Sequence, residues 1–307
     1  MATLTRLPLD TYLLAGQAAP LECAICQHEN RVSAEVCHIC AAPLSIARIN
    51  KEVKRPAHLI ACIGAANTGK TAYLGMLMDM LMRDAGSLHT TLLGPRSISL
   101  QQATTTALAA GWYPDKTPRD PELTCWVHCR VECGRRRRRS DVAFADFSGD
   151  AFVEELEQPG SFPAIRAVLG KCSAVMVMAD AQRLQAGEHD DDYIALKMLS
   201  LIDECNKKDK KKKHWVSRTK NLPLALIFAK ADSTPACADD PVTFAENHAS
   251  ALWQDCRRRF PRTKVFAASV TGATGYKLIG GRRCRVPLRV EPAGIVEPFG
   301  WLIEQMP

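Results

Sequence analysis

An eight-residue segment rich in glycine carries the clearest chemistry in this sequence. Residues 64–71 read GAANTGKT and match the pattern G-x-x-x-x-G-K-[ST]. Gly64 and Gly69 would let the backbone curl, so that successive N–H groups converge on phosphate oxygens. Lys70 would reach the terminal phosphates of a nucleoside triphosphate, and the Thr71 hydroxyl would bind Mg²⁺. The predicted phosphate-binding residues are Gly64, Asn67, Thr68, Gly69, Lys70 and Thr71.

A carboxylate and a further glycine follow a later apolar strand. Residues 142–145 are apolar and lead into Asp146-Phe-Ser-Gly149. Asp146 is predicted to hold Mg²⁺ through water. The Gly149 N–H is predicted to bond the γ-phosphate, because only glycine lets the backbone come that close.

A threonine on a loop should complete this group. The Gly- and Pro-rich residues 111–121 form such a loop ahead of a predicted strand at 122–132. Thr117 is the preferred residue, and Thr124 is the second choice. The groups predicted to act on the phosphate are therefore Lys70, Thr117, Asp146 and Gly149, and the predicted Mg²⁺ ligands are Thr71, Thr117 and Asp146.

The end of another apolar strand is suited to recognising a base. Residues 222–228 precede Ala229-Lys230-Ala231-Asp232. The Asp232 carboxylate would accept hydrogen bonds from N1–H and the exocyclic amine of guanine, and the Lys230 stem would lie along the base. Guanine-specific P-loop proteins have N-K-x-D here, so Ala229 departs from the pattern. After the last predicted strand, a backbone N–H at Ser269-Val270 would meet the guanine oxygen.

Four cysteines near the start have the spacing of metal ligands. They form two C-x-x-C pairs, Cys23 with Cys26 and Cys37 with Cys40. Two such pairs favour a closed site of four thiolates around Zn²⁺, which would supply the folding energy of so short a segment. A redox pair or four unconnected thiols are the alternatives. The chain has thirteen cysteines, and most of the others look like reduced core thiols.

Strands and helices of alternating type should position these groups. A strand at 58–63 and a helix at 71–83 flank the phosphate loop, and further elements predict an α/β fold: a mostly parallel P-loop sheet flanked by helices, preceded by a small four-cysteine zinc ribbon. The predicted divisions are an N-terminal segment at 1–20, the zinc ribbon at 21–43, a linker or short strand at 44–56, and a P-loop domain at 57–307. Residues 280–298 resemble a β-ribbon insertion.

The basic charge of the chain is concentrated in two runs. The arginine run extends from Arg135 to Arg139, and the lysine run comprises Lys207, Lys208 and residues 210–213. Together they account for more than the net charge of +7. Each run is interpreted as a solvated loop, with contact to a partner protein or nucleic acid as the alternative. Without a membrane-spanning segment or secretory signal in the sequence, we expect a cytoplasmic protein.

The order and spacing of the motifs resemble the TRAFAC clade of P-loop GTPases. The segments TAYLGML, GWYPDKT and EPFGWLIEQ resemble, more narrowly, the double-GTPase families, in which two GTPases are encoded side by side in prokaryotic conflict or regulatory systems. The resemblance covers residues 57–307. It implies GTP and GDP with Mg²⁺ as ligands, and a switch that acts with a protein partner, either a second GTPase or an effector.

Two hypotheses of function remain open. The first is a GTP-binding and slowly GTP-hydrolysing switch with a structural zinc ribbon. The second is a zinc-ribbon adaptor that binds nucleic acid, and whose P-loop domain binds GTP or ATP without significant hydrolysis. Asp150 stands where many relatives have glutamine. Because an aspartate beside a polyanion is repelled by it, we expect Asp150 to point away; the alternative is that it orients water.

Overall fold

The computed structural model describes residues 19–83, 88–133, 138–207 and 221–306. The strands in chain order are β1 (Leu21–Glu22), β2 (Glu29–Asn30), β3 (His58–Ile63), β4 (His89–Leu92), β5 (Cys125–Cys133), β6 (Arg138–Asp146), β7 (Ala174–Asp180), β8 (Leu224–Ala229), β9 (Thr263–Ala268), β10 (Ala273–Ile279) and β11 (Arg282–Arg289).

The helices cover both faces of the main sheet and the ends of its strands. In chain order they are α1 (Leu44–Val53), α2 (Lys70–Met82), α3 (Pro95–Ala109), α4 (Gly149–Glu157), α5 (Pro163–Lys171), α6 (Ala181–Gln185), α7 (Asp190–Lys207), α8 (Pro235–Asp239), α9 (Pro241–His248), α10 (Ser250–Arg259) and α11 (Val296–Gln305).

A seven-stranded sheet forms the centre of the molecule. Its strand order is β4-β5-β6-β3-β7-β8-β9. The neighbours from β6 to β9 are parallel, and β5 pairs antiparallel with β6 and with β4. The predicted α/β architecture, a mostly parallel sheet flanked by helices and preceded by a four-cysteine cluster, is confirmed.

Both faces of this sheet are buried. Along β3, Leu59, Ala61 and Ile63 enter one apolar layer, whereas Ile60 and Cys62 enter the other. A parallel strand covered on both faces reads as a continuous apolar run rather than as an alternation. This burial fixes the carboxyl end of each strand, which is where the site lies.

The N-terminal part differs from the expectation at residues 44–56. These residues were predicted as a linker or short strand, but residues 44–53 form helix α1. Pro43 stands just before its first turn, where the missing N–H costs nothing. Leu44, Ile46 and Ala47 are buried, and the helix ends at Lys54 in a left-handed conformation (φ 54°). Residues 1–18 lie outside the described part, and the domain boundaries remain predictions.

The β-ribbon also differs from the expectation. Strands β10 and β11 pair antiparallel over residues 273–289, so the ribbon begins before the predicted residue 280. Gly280 and Gly281 both have positive φ and form its turn, because glycine adopts this conformation without strain. Among the described residues, no helix is both long and apolar enough to cross a membrane.

Candidate functional site: a nucleotide cavity and a four-cysteine cluster

The phosphate loop curls between β3 and α2 as its sequence requires. Asn67 and Gly69 have positive φ, 65° and 96°, and these left-handed positions turn the chain back on itself. The Thr68 hydroxyl donates to the Ala65 carbonyl (3.0 Å) and closes the turn. The loop therefore leads directly into the N-terminus of α2, where a phosphate is favoured.

Lys70 folds its ammonium into this loop. Its Nζ donates to the carbonyls of Gly64 (2.9 Å) and Ala65 (2.8 Å), and the residue is buried. The sequence predicts that this cation binds the terminal phosphates of a nucleotide. Its position inside the curl agrees with that assignment, because the curl is where the phosphate oxygens would lie.

Three predicted Mg²⁺ ligands meet beside the loop. The Thr71 and Thr117 hydroxyl oxygens lie 2.6 Å apart, and the Thr117 hydroxyl donates to Asp146 Oδ2 (2.7 Å). The second oxygen of Asp146, Oδ1, is buried and has no hydrogen-bond partner among the described residues. Hydroxyl and carboxylate oxygens are the ligands that Mg²⁺ prefers, so this donor set fits the ion.

Burial gives the Asp146 carboxyl an unusual environment. Burial raises its pKa, and the hydrogen bond from Thr117 and the positive charge of Lys70 oppose this rise. A nearby divalent cation would favour the ionised form in the same way as Lys70.

Thr124, the second choice for the loop threonine, is not part of this group. It is buried, and its carbonyl accepts from Arg96 (3.3 Å).

Gly149 packs directly against the phosphate loop. A Cβ at this position would lie 2.1 Å from Ala66 N and 2.5 Å from Ala65 C, both of them backbone atoms. Only glycine permits this approach, and the N-terminus of α4 thereby reaches the phosphate end of the cavity. Ser148 caps the helix by accepting from Ala151 N (3.1 Å).

Asp150, the residue after this glycine, lines the same cavity and has a half-exposed side chain. Its carboxylate pairs with Arg119 of the loop that carries Thr117 (3.3 Å), and the arginine side chain is largely exposed. Its charge is therefore paired with this arginine. That Asp150 points away from a bound phosphate stays a prediction.

Lys230 links the base end of the cavity to the phosphate loop. Its Nζ donates to the Asn67 carbonyl (2.7 Å) and forms a short ion pair with Asp180. Asp180 lies at the end of β7 and also caps α6 by accepting from Gln182 N (3.0 Å) and Arg183 N (3.3 Å). Asp180 was not predicted from the sequence, although a carboxylate at the end of a buried strand was a usable signal.

Asp232 is braced from the segment after β9. Its Oδ2 accepts from the Thr271 hydroxyl (3.1 Å), which lies 3.4 Å from the Tyr113 hydroxyl. Burial raises the pKa of Tyr113, so this phenol remains protonated. The Ser269 N–H donates to the Ala293 carbonyl (2.8 Å). Of the predicted pair Ser269-Val270, the amide of Val270 is therefore the remaining candidate.

Arg285 brings the β-ribbon to the same end. Its guanidinium donates to Gln182 Oε1 (2.9 Å), Ser233 Oγ (2.9 Å) and Thr274 Oγ1 (3.2 Å). It thus joins the ribbon to the segments that follow β7 and β8. Arg285 was not predicted, because no local sequence motif marks it.

One cavity of about 380 Å³ is lined both by the phosphate loop and by the segment that carries Lys230 and Asp232. Ala229 presents only a methyl group to it. The predicted residues that line the cavity are Asn67, Thr68, Gly69, Lys70, Thr71, Thr117, Gly149, Lys230, Asp232, Ser269 and Val270. Gly64 and Asp146 are not among the lining residues, whereas Tyr113 and Arg285, which were not predicted, are.

The four cysteines of the two C-x-x-C pairs form a compact cluster. Their sulfur atoms lie within 4.8 Å of one another, with Cys23–Cys40 at 3.7 Å and Cys26–Cys37 at 3.5 Å. A tetrahedral Zn²⁺ with Zn–S bonds of about 2.3 Å would place its sulfurs about 3.8 Å apart, whereas a disulfide needs about 2 Å. The donor set therefore fits a zinc ion.

The thiols of this cluster share protons. The hydrogen bond between Cys23 and Cys40 lowers the pKa of Cys23 and raises that of Cys40, and the thiolate is the form that binds a metal. Cys23, Cys37 and Cys40 also belong to the buried layer that contains α5 and one face of the main sheet. The four-cysteine segment is thus packed against the nucleotide-binding part of the chain.

The basic runs fall largely outside the described residues. Residues 134–137 and 208–220 are not described. Of the arginine run, the Arg139 side chain pairs with Glu132 across the β5–β6 hairpin (2.7 Å). This cross-strand pair accounts for Arg139 without a nucleic-acid ligand.

The parallel sheet, the curled loop and the cavity at the strand ends define a P-loop nucleotide-binding domain of the GTPase class. Residues 58–279 match the family model described as Double-GTPase 2, and the chain belongs to that family. The match confirms the resemblance inferred from the motifs. No protein with a curated description matches the chain in sequence.

Several solved structures are similar to part of this chain at low sequence identity. The Saccharomyces cerevisiae (S. cerevisiae) Ski7 GTPase-like domain bound to GTP has 16% identity and a TM-score of 0.40, covering 81% of this chain and 50% of that chain. The Chaetomium thermophilum signal recognition particle receptor SRb-GTP/SRX complex has 14% identity and a TM-score of 0.35, covering 71% and 92%. Methanosarcina barkeri Roco2 RocCORdC bound to GDP has 13% identity and a TM-score of 0.30, covering 69% of this chain and under half, 43%, of that chain.

Proposed function

We propose that the protein is a GTP-binding switch that hydrolyses GTP slowly and acts with a partner protein. The proposal is carried by the arrangement around one cavity. Thr71, Thr117 and Asp146 are hydrogen-bonded to one another beside the phosphate loop, and Asp232 lines the other end of the cavity. A nucleoside triphosphate bound along this cavity would place phosphate at the first end and base at the second.

The residues at the phosphate end would respond to the γ-phosphate. Bound Mg²⁺, held by Thr71, Thr117 and Asp146, would neutralise charge on the phosphates. The N–H of Gly149 and the loop that carries Thr117 would be ordered by the triphosphate and released with the diphosphate. Membership in the double-GTPase family favours a protein partner, with a second GTPase as the first candidate.

Base recognition provides the sharpest test of the proposal. Xanthine has a carbonyl oxygen where guanine has the exocyclic amine, so an amide side chain should pair with it where a carboxylate does not. We expect wild-type protein to bind GDP more tightly than XDP or ADP, and Asp232→Asn to prefer XDP. The matched control is Asp239→Asn, an exposed carboxylate outside the cavity. Equal affinity of the wild type for ADP and GDP would refute guanine recognition.

Slow turnover follows from the residues beside the γ-phosphate. Asp150 pairs with Arg119 and would not position a water molecule, so catalysis would rely on charge stabilisation by Lys70, Mg²⁺ and the Gly149 N–H without a side chain that orients the attacking water. Single-turnover GTP hydrolysis by the purified protein should be slow and unchanged in Asp150→Ala. A fast reaction that Asp150→Ala abolishes would assign the water-orienting role to Asp150.

A further inference from the structure

The β-ribbon of β10 and β11 exposes large apolar side chains to solvent. Leu278 is 77% exposed and Leu288 is 69% exposed, and the side chains of Tyr276, Ile279 and Val290 are exposed as well. Among the described strands, β10 and β11 pair only with each other, so neither has a second strand beside it. Single apolar residues on a surface need no explanation, but several together on one short element mark a contact site. The β-ribbon therefore offers apolar surface for another molecule to cover.

The charge of the same β-ribbon has one sign. Residues 273–289 contain no aspartate or glutamate but carry five cations, Lys277, Arg282, Arg283, Arg285 and Arg289. Arg285 is directed to the cavity, and Arg289 pairs with Glu291 (3.0 Å), whereas the other three side chains are exposed. An open strand edge invites pairing with a second copy of the chain, but two such β-ribbons would bring like charges together. The complementary surface is therefore acidic.

An aromatic contact extends this surface to the loop that carries Thr117. The Lys277 Nζ lies 5.3 Å from the ring centroid of Trp112, and Trp112 is itself exposed. The next residue of the loop, Tyr113, has its hydroxyl 3.4 Å from that of Thr271, just before β10. In the proposed function the triphosphate orders this loop, so GTP would fix Trp112 beside the β-ribbon.

We propose that the β-ribbon and Trp112 form a docking surface for an acidic face of a partner protein, and that GTP favours its occupation. Leu278 and Leu288 would supply the apolar contact, and the exposed arginines would pair with carboxylates of the partner. The nucleotide dependence rests on the proposed function, whereas the docking surface itself does not.

The composition of the surface favours a protein over a nucleic acid. Aromatic residues and arginine are enriched where protein interfaces are most buried, and Arg283 stacks over the Tyr276 ring at 3.8 Å from its centroid. Nucleic-acid surfaces also use cations and aromatic rings. However, the most exposed side chains here are the aliphatic Leu278 and Leu288, which neither bind phosphate nor stack on bases.

The first test is photocrosslinking from the full-length protein in cells of the source organism. Benzoylphenylalanine in place of Leu278 should form an adduct with a protein. The control places the same group at Val53, an exposed residue of α1, which precedes the amino end of β3 rather than the carboxyl ends of the strands. The absence of an adduct, a nuclease-sensitive adduct, an adduct with a second copy of the chain, or the same adduct from Val53 would overturn the proposal.

The second test measures the charge of the contact with the captured protein, identified by mass spectrometry and purified. Arg282→Glu combined with Arg283→Glu should weaken its binding to the chain loaded with a non-hydrolysable GTP analogue at least about 10-fold. Changing carboxylates of the partner to lysine should restore binding to this variant. The matched control, Lys54→Glu combined with Arg55→Glu, reverses two exposed cations and should have no effect. Unchanged binding by the β-ribbon variant, or no rescue by the altered partner, would overturn the proposal.

The docking surface and the nucleotide site can fail separately. Neither Arg282 nor Arg283 lines the cavity, and exposed charges are screened by salt, so GDP affinity of the β-ribbon variant should stay within about twofold of the wild type. Equal partner binding with the GTP analogue and with GDP would overturn the nucleotide dependence. Failure to bind guanine nucleotide would refute the proposed switch, but it would leave the crosslinking result as the test of the surface.

Discussion

The phosphate end of the cavity is formed by backbone curvature and by bonds among hydroxyl and carboxylate groups, whereas the base end is held by side chains from distant elements. At the phosphate end, Gly149 leaves no room for a methyl group against the loop. At the base end, Lys230 reaches Asn67, which is 163 residues away, and Arg285 reaches Gln182, which is 103 residues away.

This difference predicts unequal tolerance to mutation. A backbone contact cannot adjust without moving the loop itself, so a single added carbon should affect every phosphate contact. Side-chain contacts at the base end act in parallel, and the loss of one leaves the others in place. The expected effects therefore fall from Gly149 through Asp180 to Arg285.

Gly149→Ala should have the largest effect. Its Cβ would lie 2.1 Å from Ala66 N, and overpacking of this kind costs about 3 kcal/mol of folding stability. The phosphate loop must shift to relieve the clash, and a similar cost to binding would lower GDP affinity about 100-fold. Titration calorimetry and thermal unfolding would measure the two consequences. In the control Gly170→Ala the new Cβ meets Cys205 Cβ at 3.6 Å and Cys205 O at 3.9 Å, both ordinary contacts, so this change should be nearly neutral. Wild-type affinity in Gly149→Ala would show that the loop is not rigid.

Asp180→Asn should have an intermediate effect. An asparagine keeps an acceptor for the cap of α6 but removes the charge that pairs with Lys230. A charge-assisted hydrogen bond is worth about 1.5–3 kcal/mol, so GDP affinity should fall roughly 10-fold, mainly through faster dissociation. The dissociation rate of a fluorescent GDP analogue would measure it, with Asp239→Asn as the control. If the rate is unchanged, the position of Lys230 does not depend on Asp180.

Arg285→Ala should have the smallest of these effects. Its bonds go to neutral groups, each worth about 1 kcal/mol and partly replaced by water, so GDP affinity should fall about fivefold. Arg282→Ala, an exposed change on the same ribbon, is the control. A loss larger than that of Gly149→Ala would reverse the proposed order and make the ribbon the main determinant of affinity.

The residues at the phosphate end could be predicted from the sequence because they lie within short motifs. The spacing of GAANTGKT and of Asp146 to Gly149 encodes a turn and a close approach that few other residue types allow. The preference for Thr117 over Thr124 agrees with the structure, which brings Thr117 to Thr71 and Asp146. Its role in Mg²⁺ binding remains a prediction.

The contacts at the base end were harder to predict from the sequence because they form only after the sheet is assembled. The pairing of β7 with β8 brings Asp180 beside Ala229, and no local pattern shows this. Arg285 depends on how the ribbon folds back over the strand ends. Helix α1 was missed because Pro43 and Pro56 suggested a linker, although both prolines lie outside the helix that they flank.

Nucleotide affinity with and without the Lys70 ammonium tests the central claim most directly. Isothermal titration of GDP into the wild type and into Lys70→Ala should show a loss of affinity of at least about 100-fold, because charge-assisted hydrogen bonds to phosphate are lost from a buried site. The Lys70→Ala protein should still fold, as circular dichroism would show. If folded Lys70→Ala binds GDP as tightly as the wild type, the curled loop does not hold the phosphate tail.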